Sequence, residues 1–112
     1  MSGTLRVNDR DAWMPAGWVY DNVLERAADH MGSANQPVAD LLRNATTQRS
    51  VGYLDLRSVD SATFVAIAGA LEKVRSDVTA AGPKAFHDPP FYPGYVRLLD
   101  ELIVMIKNDP RL

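Results

Sequence analysis

The stretch from Asp60 to Gly82, DSATFVAIAGALEKVRSDVTAAG, constrains the fold more than any other in the chain. Phe64, Ile67, Ala68, Leu71, Val74 and Val78 recur at intervals of three and four, which gathers them into one stripe of a helix. A stripe of that length has to be covered, so the rest of the chain must bring apolar surface to it. Asp60 suits the N-cap, where a carboxylate accepts the unpaired N–H groups of the first turn. Gly82 offers the left-handed stop and Pro83 bars continuation. Glu72 with Arg75, and Lys73 with Asp77, fall one turn apart on the wet side. Gly69, in the middle, costs about 1 kcal/mol relative to alanine and predicts close approach of another backbone.

Three more helices are expected around it. In PGYVRLLDELIVMIKNDP, Val96, Leu99, Leu102, Ile103 and Ile106 form an inner stripe that Leu98 and Met105 widen. Pro93 suits its first turn, Lys107 the negative end of its dipole, and Pro110 ends it. So broad a stripe predicts a central helix covered on two sides. An earlier helix spans about Gly17 to Met31, with Tyr20, Val23, Leu24 and Ala27 in register and His30 as a cation near its C-terminus. Pro37 opens a shorter one through Val38, Leu41, Leu42 and Ala45.

Between the short helix and the long one, SVGYLDLRS reads as a strand, and TLRVN near the N-terminus alternates in the same way. A lone strand leaves its backbone groups unpaired, so these two are expected to pair. The fold class is α+β, predominantly helical: about four helices and a minimal two-stranded β element, in the order β-α-α-β-α-α. The alternative is an all-α bundle in which the second strand is only an extended connector. Residues 1–112 read as a single globular domain.

Composition narrows the function. A net charge of −2 and twelve basic residues scattered along the chain give no basic face for nucleic acid. The absence of cysteine removes disulfides and thiolate chemistry and fits a reducing compartment. No export signal or membrane-spanning run is visible, so a cytoplasmic protein is expected. Two histidines without HxH or HxxxH spacing give no zinc pattern. Asp9 and Asp11 lack the glycine and glutamate of a calcium loop and read as a polar turn. Ser58 and Ser61 look like helix-start chemistry, and no glycine-rich phosphate loop is present. No cofactor is expected.

Two aromatic-rich segments remain. GPKAFHDPPFYPGY, Gly82 to Tyr95, holds four of the seven prolines and four of the nine aromatics. Its Asp88-Pro89-Pro90 run enforces a stiff path, so Phe86, Phe91, Tyr92 and Tyr95 either hold a connector on the core or project as a preformed surface. DAWMPAGW contains both tryptophans, Trp13 and Trp18, the residue type enriched at binding hot spots. The reading is a non-catalytic protein-binding module, a small inhibitor, antitoxin, immunity or accessory protein, with Trp13, Trp18, Phe86, His87, Phe91 and Tyr92 as candidate contacts. A protein partner and a homodimer are expected. The alternative is a small enzyme or ligand binder with a pocket near His87.

Overall fold

The computed structural model describes residues 2–86 and 88–112. Three strands and four α-helices follow in the order β1 (Thr4–Arg6), β2 (Ala12–Trp13), α1 (Gly17–Met31), α2 (Gln36–Asn44), β3 (Tyr53–Asp55), α3 (Ser61–Ala81) and α4 (Tyr92–Lys107). Short 3-10 turns occupy Gly32–Asn35, Pro83–Ala85 and Pro89–Phe91. The protein is therefore α+β and predominantly helical, and the all-helical alternative is excluded.

The sheet corrects the expected two-stranded element. Its order is β2-β1-β3, with β1 antiparallel to β2 and parallel to β3. The expected pairing of β1 with β3 is present, and it is parallel because the α1–α2 crossover returns the chain to the same end. The added strand, β2, has only two residues, too few to show alternation. It is set by a turn in which the Asn8 carboxamide oxygen accepts from the backbone N–H groups of Arg10 and Asp11 at 2.9 and 2.8 Å. Register aligns Leu5 with both Trp13 and Leu54, so one buried row of side chains crosses all three strands.

Helix limits follow local chemistry. The Asp60 carboxylate accepts from the Thr63 N–H at 2.7 Å, and Gly82 stops α3 at φ 71°, donating its N–H to Val78 O at 3.0 Å. The α3 stripe is buried from Phe64 to Val78. α1 brings Val19, Tyr20, Val23, Leu24 and Ala27 to the same core. Gly3 lets the N-terminal strand pass over Tyr20, since a Cβ there would sit 2.1 Å from the Tyr20 ring. The Tyr20 hydroxyl donates to Ala45 O at 2.8 Å, and burial pushes its pKa up.

Two packing expectations fail. α3, not α4, is the central helix, packed against α1, α4 and more lightly α2; α4 packs chiefly on α3 and leaves Val104 56% exposed. The width of the α4 stripe is taken up at its edge, where Leu98 and Met105 are only partly buried. Nor does another backbone approach Gly69: a Cβ there would meet nothing within 4 Å.

Candidate protein-binding surface

Trp18 stands in the first turn of α1. Its neighbours Val19 and Tyr20 turn inward, which sends the indole outward, 49% exposed. Phe91, at the end of the second proline-rich turn and the entry to α4, is 55% exposed. The two rings meet with centroids 5.8 Å apart and planes inclined by 54°, so residues separated by most of the chain form one exposed aromatic pair.

A second layer of rings supports that pair. Tyr95 lies 6.1 Å from Trp18 and takes Phe86 edge-on at 5.0 Å; Phe86 meets Tyr92 edge-on at 5.4 Å. Tyr95 is buried, its hydroxyl donates to the Asn22 side-chain oxygen on α1 at 2.7 Å, and burial pushes its pKa up to about 12. Tyr95 thus bolts the start of α4 to α1. Phe86 and Tyr92 are partly buried against the core. The proline-rich segment is both things the sequence allowed: Phe86, Tyr92 and Tyr95 hold it down, while Phe91 projects.

The six candidates separate accordingly. Trp18 and Phe91 form the exposed pair, and Phe86 and Tyr92 form its base. Trp13 is a correction: it is 2% exposed, and its indole N–H donates to Leu98 O on α4 at 2.9 Å, so no partner can reach it. The reason is β2, whose register with Leu5 turns Trp13 into the core. His87, and with it the expected pocket around it, lies outside the described residues. Tyr95 was not among the candidate contacts; its ring joins the site by meeting Trp18 and Phe86.

Beside Trp18 opens a hollow of about 390 Å³, bordered by Asp21, Asn22, Glu25, Thr47 and Gln48. The buried Asp21 carboxylate accepts from the Thr47 N–H at 2.7 Å and from the Thr47 hydroxyl, which pins the loop after α2 against α1. Two exposed acidic residues are nearby: Glu25 borders the hollow that Trp18 also lines, and Asp88 lies three residues before Phe91, its backbone carbonyl accepting from the Phe91 N–H at 3.0 Å.

A different constellation lies between α1 and α3. His30 does not merely face its own helix end; its Nε2 sits 2.6 Å from the Asp77 carboxylate, in a hollow of about 240 Å³ that Arg26, Asp29 and Val74 also line. Among the described residues, no three His, Asp or Glu side chains converge as a metal site, and no helix is long and apolar enough to cross a membrane.

The architecture defines a class: a small α+β domain whose mixed sheet and four helices present an aromatic pair on rigid elements. No protein-family model matches the chain, and no curated protein matches it. Among solved structures it resembles one chain of the complex between the CdiA-CT toxin from Burkholderia pseudomallei E479 and its cognate CdiI immunity protein. The likeness has a TM-score of 0.75 and covers 98% of each chain at 14% sequence identity, a similarity of fold.

Proposed function

We propose that this chain is a non-catalytic protein-binding module of the immunity kind, a neutralising partner whose contact surface centres on Trp18 and Phe91. The observation that carries the reading is that pair: two large aromatics, each about half exposed, in contact with one another above the buried Tyr95 ring and on proline-stiffened backbone. A preformed aromatic surface loses little conformational entropy on binding, and tryptophan in particular concentrates binding energy. The fold it shares with a chain from a toxin–immunity complex supports a partner of protein nature. The acidic residues Glu25 and Asp88 near the pair suit a partner with basic groups at the matching rim.

One observation favours a second reading. A histidine held by a carboxylate at 2.6 Å, with Arg26 lining the same hollow, has the parts of a general acid–base site. On that reading the chain is the catalytic member of such a pair, working at His30 instead of near His87.

Expression in growing cells separates the two. The binding module leaves growth unaffected and co-purifies with a specific protein partner, and Trp18→Ala with Phe91→Ala abolishes that association. Growth arrest by the wild-type chain, relieved by His30→Ala, would overturn the module and establish the second reading.

A further inference from the structure

We propose that the face formed by α3 and α4 is the docking site for a second copy of this chain, separate from the Trp18–Phe91 surface. Eight large hydrophobic side chains are exposed among the described residues. Two of them, Val65 and Leu112, line one apolar groove of about 260 Å³ between the two helices. Val65 and Gly69 stand one turn apart along the α3 wall of the groove; Ile103 and Ile106 form the α4 wall. A third exposed residue, Val104, is three residues from Lys107 and so its neighbour on the helix surface; it borders a separate hollow of about 630 Å³ on α4.

Gly69 is the residue that asks for an occupant. A glycine on the exposed side of a helix is unfavourable unless something must come close, and among the described residues nothing beyond its chain neighbours and its own helix backbone lies within 4 Å of where its Cβ would be. The close approach is then supplied from outside.

The charges around the groove identify a second copy as that occupant. In a two-fold contact the same patch meets itself, so it must carry both members of each charge pair. Glu72 on α3 and Lys107 on α4 meet these conditions: they lie 3.0 Å apart at the rim, and both side chains are largely exposed. A two-fold partner can exchange them, Glu72 of each copy facing Lys107 of the other.

The test is sedimentation equilibrium of the full chain across the micromolar range. Wild type is expected to move from 12.3 kDa towards twice that mass as concentration rises. Gly69→Arg fills the groove and is expected to weaken association at least about tenfold, with its far-UV circular dichroism unchanged. Charge exchange tests the arrangement without touching the groove floor. Glu72→Lys alone and Lys107→Glu alone each place like charges across the two-fold and should be monomeric, whereas a mixture of the two should form heterodimers. The pair within one chain is broken in both variants, so pairing in the mixture reports only contact between chains. A wild type that stays monomeric at high micromolar concentration overturns the proposal. So does a dimer that survives Gly69→Arg, one that Trp18→Ala dissolves instead, or a mixture that fails to associate. Only dissolution by Trp18→Ala would bear on the Trp18–Phe91 surface, by making it the self-contact; the other outcomes leave the proposed binding of a different protein untouched.

Discussion

The guanidinium of Arg111 lies flat over the ring of Phe64, 4.1 Å from its centroid. From there it donates to Val7 O at 2.8 Å, to Leu56 O at 2.5 Å and to Val59 O at 3.3 Å, and it is paired with the buried carboxylate of Asp109 at 2.9 Å. One side chain beyond the last helix thus closes the ends of β1 and β3 against the start of α3. Asn8, in the β1–β2 turn, donates to the same Asp109 carboxylate at 2.9 Å and completes the clasp.

Arg111→Ala is expected to cost about 3 kcal/mol, because it strands a buried carboxylate along with the carbonyls that lose their donor. Arg111→Lys should recover only part of that, since an ammonium cannot reproduce the planar fork that reaches several acceptors while stacking on a ring. Urea titration of the two variants against wild type measures both.

Acid stability follows from the carboxylates. Arg111 beside Asp109 holds its pKa well below the usual range, Arg57 holds Asp55 down to about 2, and Thr63, hydrogen-bonded to the Asp60 cap, lowers Asp60. Each folded-state pKa lies below its unfolded value of roughly 3.9. Their contribution is therefore complete above that value and is lost as pH falls through it towards the folded-state pKa. Melting temperature should hold steady near neutrality and drop below about pH 4. Asp109→Asn should melt lower at pH 6 and fall less steeply on acidification; an unchanged slope would show that Asp109 does not carry the effect.

Leu102 is fully buried at the centre of the α4 stripe, so Leu102→Ala should destabilise the protein by about 2–5 kcal/mol. A loss of less than about 0.5 kcal/mol in denaturant melts, within the range of ordinary surface changes, would contradict the α4 register. Gly69→Ala should act in the opposite sense. With open space at its Cβ position, the alanine gains helix propensity without a clash and should stabilise the dilute monomer by about 0.5–1 kcal/mol.

What the sequence made legible was whatever chemistry is local. The limits of α3 could be read because Asp60 and Gly82 each act on backbone groups within one turn. The β1–β3 pair could be read because alternation and the need for a partner both mark it. β2 could not, since Ala12 and Trp13 take their strand geometry from pairing with Arg6 and Leu5 and not from any pattern of their own. The same limit governs the candidate site. Trp13 and Trp18 share one short segment, and only the strand register and the α1 phase decide that one is buried and the other exposed. Likewise, the meeting of Trp18 with Phe91 is a product of how α4 returns against α1 through Tyr95 and Asn22. Periodicity within either segment carries no trace of it.

The exposed pair can be tested against its own supports. Phe91 and Trp18 each leave about half of their surface in water, so truncating Phe91 gives up contact with one ring and truncating Trp18 with two, on surface that is only partly buried. Trp18→Ala and Phe91→Ala should each lower stability by no more than about 1 kcal/mol. Trp13→Ala removes a buried indole together with its hydrogen bond to Leu98 O and should cost about 3–5 kcal/mol. Tyr95→Phe deletes only the hydroxyl that donates to Asn22 and should cost about 1 kcal/mol. In a complex the order reverses. The two exposed variants should lose at least about 1–2 kcal/mol of binding each, while Tyr95→Phe, which keeps the ring, should bind almost as wild type. Thermal melts and titration calorimetry with the captured partner give both orders. If Phe91→Ala instead melts as low as Trp13→Ala, then Phe91 is a packing residue and the surface is not preformed for recognition.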